Sequence, residues 1–283
     1  MTTPLFFLHI PKNSGTTLNQ IVRQNYHAIF KVSWDAASPR HAMSLLAAGD
    51  AGVFGDAEVV SGHYPWGLHR VLGEATDARY MTMLREPLAR SLSGYNYLRS
   101  DSKYVRENPS LKRKLEGMSI VDFFSDFHPD IPNHLYVDNC QVRYLSGIGE
   151  TRPFGSLTDD DLETAKRHLS SMVFGITERF DLSILHLRAA LEWSSVLYLR
   201  ARVGSTPKQV LTEAEQPVLQ ARNALDLELY RYGLELFAHR TATIDAAAID
   251  AYRKALERHA RIQSVLRLPR AAAGRLRRAL GRV

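Results

Sequence analysis

Residues 5–17 read LFFLHIPKNSGTT, and no other stretch limits the fold as much. An apolar run from Leu5 to Leu8 leads through Pro11 and Lys12 into Asn13, Ser14, Gly15, Thr16 and Thr17, and a helix-like pattern starts at Leu18. Strand, tight polar loop and helix in that order make an anion cradle. Loop amides point inward, the helix N-terminus adds partial positive charge, and a lysine adds a full one. A nucleoside-triphosphate P-loop ends in Gly-Lys-Ser/Thr, whereas here the lysine precedes the loop. An edge strand feeding a capped helix is the plainer alternative.

A second segment weighs against that alternative. In YMTMLREPLARSLSGYNYL, residues 80–98, an apolar run ends in Arg85, Pro87 opens a helix, and Ser93 follows eight residues after the arginine. An arginine leaving a strand and a hydroxyl two turns into the next helix can converge on one phosphate. The arginine supplies bidentate, permanently charged contacts and the serine one hydrogen bond.

Together these stretches resemble the PAPS-dependent sulfotransferases, PAPS being 3′-phosphoadenosine 5′-phosphosulfate. HIPKNSGTT is similar to the family's 5′-phosphosulfate loop of HIPKTGGTT type, and LREPLARSLS to the LRDPxxRxxS segment that holds the 3′-phosphate. The branch with heparan 2-O-type carbohydrate O-sulfotransferases and bacterial relatives is the nearest in pattern. VVSGHYPWGLH at 59–69, VDNCQVRYLSG at 137–147, VFGITERFDLSI at 173–184 and LDLELYRYGLELF at 225–237 also fit it. The resemblance spans roughly residues 4–240. It implies a P-loop-like α/β fold, a three-layer sandwich whose central, mostly parallel sheet is flanked by helices.

The pattern of the residues agrees with such a fold. Strands are expected at 5–10, 57–61, 79–84 and 172–176, and helices at 16–25, 40–48, 87–99, 133–145, 158–171, 180–192 and 223–239. Alternation of this kind argues for a parallel sheet covered on both faces. Thr158 with Asp161 forms a capping-box-like start. Residues 100–130 break the rhythm, and their polar run with Pro109 is expected as an insertion over the acceptor site.

With 283 residues and 45% hydrophobic content, the chain can bury the core of one large domain, expected over residues 1–250. No apolar run approaches the roughly eighteen residues of a membrane span. No secretory signal pattern is visible, and the single cysteine, Cys140, fits a reducing cytoplasm and a packing role. Eukaryotic members of the resembling family usually carry a Golgi anchor, so a bacterial, cytoplasmic protein is expected. From Arg253 onward the chain has ten Lys or Arg and one acid, Glu257, a net of +9; since the total is +6, residues 1–252 sum to −3. The tail, 251–283, is therefore expected to be a solvated basic end or a helix lying on an anionic membrane. No aromatic residue interleaves its arginines, so nucleic acid is not an expected partner.

Sulfuryl transfer needs little covalent chemistry from the protein, which positions both ends and neutralises charge on the leaving oxygen. Lys12 is the candidate for that task. The amides of residues 13–17 and the hydroxyls of Ser14, Thr16 and Thr17 would hold the 5′-phosphate, and Arg85 with Ser93 the 3′-phosphate. The family usually has Thr where this chain has Asn13, and Gly or Ala at Ser14; Asn13 can still donate. An acceptor hydroxyl must lose a proton, and histidine is the natural base near neutral pH. Among eleven histidines, His63 follows the apolar pair Val59–Val60 and aligns with the family's base. His69 is the second choice, and His9 is expected to be structural. The resemblance places a late nucleotide loop at 202–209, where Ser205, Thr206 and Lys208 would touch the 3′-phosphate or ribose unless the loop is bare surface. Arg143 would meet an anionic acceptor or brace a loop, and Tyr64 and Trp66 would stack on a sugar or lie in the core. By resemblance the acceptor is a carbohydrate or glycolipid. No metal-ligand motif is present, and no metal is required. A nucleotide-dependent kinase, and a non-catalytic member docking through its tail, are the alternatives.

Overall fold

Runs of four apolar residues become strands here because a parallel sheet covered on both faces hides every side chain of such a run. The computed structural model describes residues 3–33, 35, 37–74, 76–100, 103–132, 134–199 and 210–266. Its sheet contains β1 (Leu5–Leu8), β2 (Ile29–Lys31), β3 (Val59–Gly62), β4 (Tyr80–Leu84) and β5 (Val173–Ile176), parallel throughout and ordered β2-β3-β1-β4-β5. Phe6, Leu8, Val60, Tyr80, Leu84 and Phe174 share one core. There α2 (Ala42–Ala48), α7 (Cys140–Ser146), α8 (Asp159–Ser171) and α11 (Ala224–Arg240) cover them. Leu5, Phe7, Val59, Met81 and Met83 turn the other way, toward α1 (Gly15–Asn25), α9 (Phe180–Leu191) and α12 (Ala246–Leu266). Each such fully buried side chain contributes about 1.5–3 kcal/mol relative to an exposed one. The result is the three-layer α/β sandwich that the alternation predicts.

Residues 100–130 are more ordered than a polar insertion. They hold α4 (Lys103–Glu107), α5 (Pro109–Gly117) and α6 (Ile120–Ser125), packed with α3 (Pro87–Arg99) and α10 (Gln216–Arg222). Val105, Leu111, Leu115, Phe123 and Phe124 form a separate apolar core there with Tyr95 and Leu219. Local caps explain the breaks: Asn108 accepts from the Leu111 amide ahead of Pro109, and Ser119 with Asp122 makes a full capping box.

Two other expectations change. The helix expected over 133–145 is a 3-10 turn at His134–Val137, then Asn139 at φ 47°, then α7. Reciprocal caps produce that interruption. The Asn139 Oδ1 accepts from the amides of Leu225 and Asp226, while the Asp226 carboxylate accepts from those of Gln141 and Val142. The boundary expected at residue 250 falls inside α12, whose Tyr252 hydroxyl donates to the Val196 carbonyl at 2.7 Å. Among the described residues, no helix is long and apolar enough to cross a membrane.

From β1 the chain lays β2 and β3 on one side, then crosses to β4 and β5 on the other. Such a reversal opens a crevice beyond the carboxyl ends of the strands.

Candidate functional site

The side chains that the sequence singles out leave the sheet at that end. His9 and Lys12 follow β1, His63 follows β3, and Arg85 follows β4. All four line one cavity of about 1000 Å³, with Ser14, Gly15, Thr16 and Ser93.

The cradle loop is held in an unusual backbone. Lys12 and Ser14 lie at φ 70° and 60°, left-handed values that cost a non-glycine residue about 1 kcal/mol each. Ser14 opens α1 without a side-chain cap, and no acidic residue occupies the first turn. Helix geometry leaves the first-turn amides without intrahelical partners, at the positive end of the dipole. Arg85 borders the same space: its Nη1 donates to the Lys12 carbonyl at 2.9 Å, and its buried Nε has no protein acceptor. The Lys12 ammonium lies 4.3 Å from the centre of the Tyr97 ring, a cation–π contact. Orphaned donors and fixed cations around one cavity fit a phosphate-bearing group.

Asn13 departs from its expected role. Its side chain turns inward, where Nδ2 donates to the Met83 carbonyl at 2.7 Å and to Gln141 Oε1 at 3.0 Å. Its amide donates to Ile10, so Asn13 fastens the loop and does not face the cavity. Gln141, fully buried, completes the fastening: Oε1 also accepts from the Arg85 amide at 3.0 Å, and Nε2 donates to the Arg85 carbonyl at 2.9 Å. Thr17 borders a neighbouring hollow with Thr177, Phe180, Tyr198 and Arg253, and Ser14 borders both.

His63 and His9 form a pair. The His63 Nδ1 lies 2.6 Å from the His9 carbonyl, and the rings stand 4.2 Å apart. A carbonyl can only accept, so Nδ1 carries the proton and the neutral ring keeps its lone pair on Nε2. Burial pulls the His63 pKa down to about 4, helped by nearby Lys31 and opposed by the His9 carbonyl. His9 falls to about 3 through burial and the charges of His63, Lys31 and Lys12. Both imidazoles are thus neutral at pH 7. Gly15 makes the pair possible, because a Cβ there would lie 1.6 Å from the His9 Nε2. His9 therefore positions the candidate base, a role that its place in an apolar run conceals. Its immediate second partner is Phe7, stacked at 5.5 Å.

The expected acceptor contacts need correction. Arg143 is fully buried, pairs with Asp138 at 2.5 Å and donates to the carbonyls of Gly149, Arg152 and Pro153. It braces a loop. Tyr64 is a core residue whose hydroxyl donates to the Val60 carbonyl. Trp66 is sandwiched between Tyr80 at 4.1 Å and His168 at 4.4 Å. The His69 Nδ1 lies 2.9 Å from the Tyr80 hydroxyl, within that same aromatic stack. None of these four is among the described residues lining the cavity. Ser205, Thr206 and Lys208 lie outside the described residues. Among the described residues, no group of three or more His, Cys, Asp or Glu is placed to hold a metal.

Compared with known proteins, the chain matches no family model and no curated protein.

Proposed function

We propose that this chain is a PAPS-dependent O-sulfotransferase acting on a carbohydrate or glycolipid hydroxyl. One observation carries this reading: the Lys12 loop, His63 and the Arg85–Ser93 pair surround a single cavity at the carboxyl end of the sheet. Bound PAPS supplies the sulfuryl group, whose bond to the 5′-phosphate oxygen breaks as the acceptor oxygen bonds to sulfur. The His63 Nε2 takes the acceptor's proton, with the ring held in one tautomer by the His9 carbonyl. Lys12 neutralises charge that grows on the departing oxygen. The amides of the first turn of α1, with Ser14 and Thr16, seat the 5′-phosphate. Arg85 and Ser93 bind the 3′-phosphate, and Arg85 also anchors the loop through the Lys12 carbonyl.

A cytoplasmic setting accords with Cys140, a buried thiol whose pKa burial pushes up to about 12 and which is therefore inert. Peripheral membrane contact would fall to the basic residues after Arg253, most of them beyond the described residues.

Calorimetric titration with adenosine 3′,5′-bisphosphate, 5′-AMP and ATP in EDTA tests the reading. The bisphosphate should bind in clear preference, and Arg85→Ala should weaken it strongly. Preference for ATP, or no binding by folded protein, would sink the assignment.

A further inference from the structure

We propose that the Tyr97 ring is the seat of the Lys12 ammonium and holds that cation ready for the oxygen that leaves the donor. Tyr97 is thereby a positioning residue that acts through Lys12, and this inference rests on the sulfotransferase reading.

A lysine stem is long and flexible, and a ligand that must order it meets a rotamer-entropy cost. In this loop both ends of the side chain are held. The Lys12 backbone stands at φ 70°, and its carbonyl accepts from the Arg85 Nη1 at 2.9 Å. The stem passes Gly94, where even an added Cβ would lie 4.0 Å from the Lys12 Cγ, so its path is clear. At the far end Nζ lies 4.3 Å from the centre of the Tyr97 ring, inside the roughly 6 Å range of a cation–π contact. Arg90, Ser93, Gly94 and Tyr97 all border the cavity at helical spacing. One face of α3 thus carries the Ser93 hydroxyl and the lysine's seat a turn apart.

The chemistry of the seat suits the task. A carboxylate in its place would neutralise the lysine and repel an incoming phosphate. A ring attracts an ammonium through its quadrupole and adds no net charge, so the cation keeps its attraction for an anion. The ring meets the ammonium on one side only, and an ammonium has three N–H donors. Tyr97 is 43% exposed, so it has little packing to lose, and a change there reads the cation contact more than the core.

The test is calorimetric titration of adenosine 3′,5′-bisphosphate, whose 5′-phosphate carries the oxygen that departs in the transfer. Tyr97→Leu, which removes the ring and keeps an apolar side chain, should weaken binding about two- to five-fold. Tyr97→Phe, which keeps the ring, should restore it. In a Lys12→Met background the Tyr97→Leu change should add no further loss, because its effect passes through the lysine. Adenosine 3′-phosphate offers Lys12 no 5′-phosphate and should bind wild type and Tyr97→Leu alike, which decides the point if Lys12→Met binds too weakly to titrate. If Tyr97→Leu fails to fold, Tyr97→Met makes the same test. Unchanged or tighter binding of the bisphosphate by Tyr97→Leu overturns the inference. An equal loss in the Lys12→Met background, or with adenosine 3′-phosphate, overturns it too, since the ring would then touch the nucleotide itself. Failure of the wild-type protein to bind the bisphosphate would overturn the underlying function instead, and the role of the seat with it.

Discussion

Ser14 stands at φ 60° where a glycine would rest without strain, and it separates the main cavity from the hollow beside Thr17. Ser14→Gly should therefore stabilise the fold by up to about 1 kcal/mol, less the greater entropy of glycine in the unfolded chain, read as a higher urea midpoint. A lower midpoint would mean that the serine hydroxyl holds the loop. Gly15 has the opposite sensitivity. Gly15→Ala drives a methyl group into the His9 ring, and the expected loss is more than about 2 kcal/mol with the His9–His63 stack displaced. His63, the proposed base, makes a prediction that needs no acceptor. In ¹⁵N spectra of the free protein, the His63 ring should show a protonated Nδ1 at neutral pH and titrate near pH 4, not near the ordinary 6.5. A midpoint near 6.5 would show that the ring is solvated and unpaired with His9.

At the scale of elements, the reciprocal caps between α7 and α11 are the joint on which Gln141 hangs. Asp226→Ala leaves the buried amides of Gln141 and Val142 without acceptors, so a loss of about 2–3 kcal/mol is expected in chemical denaturation. If stability is unchanged, solvent must reach those amides. How much of the site could be read in advance follows from the range of the contacts involved. The strand, loop and helix at residues 5–25 and the Arg85–Ser93 pair declare themselves because their signals are local: an apolar run, a Pro at a helix start, a hydroxyl two turns on. The inward turn of Asn13 rests on Met83, 70 residues away, and on Gln141, 128 away, and no local pattern encodes such partners. His9 reads correctly as a structural imidazole in an apolar run, but which ring it packs against shows only in the space that Gly15 leaves for it. Strand β2 carries no readable signal, because Ile29–Lys31 is too short for alternation to show. For Arg143 the sequence leaves an anionic acceptor and a loop brace both open, and only its burial against Asp138 and the loop carbonyls decides for the brace.

Across the whole molecule, buried neutral histidines set the response to acid. Burial lowers the pKa of His9 to about 3 and of His63 and His134 to about 4. A histidine of this kind binds fewer protons folded than unfolded between its native pKa and about 6.5, so stability rises with pH across that window and is lost as pH falls through it. Asp226 works the other way, since burial raises its pKa to about 6 and acid favours its native form from there down to about 3.8. Three histidines outweigh one carboxyl, and the thermal midpoint should fall as pH drops from about 6.5 toward 4. A flat midpoint across that range would refute the burial of these rings. The fastening of the cradle has a kinetic meaning as well. Asn13, Gln141 and the Arg85 guanidinium clasp the loop in its bent form through contacts made by the protein alone. The entropy of shaping that seat is already spent at folding. On the proposed reading, an incoming nucleotide would meet a surface of settled outline, and the wrong one would be turned away at first touch instead of after a closing motion.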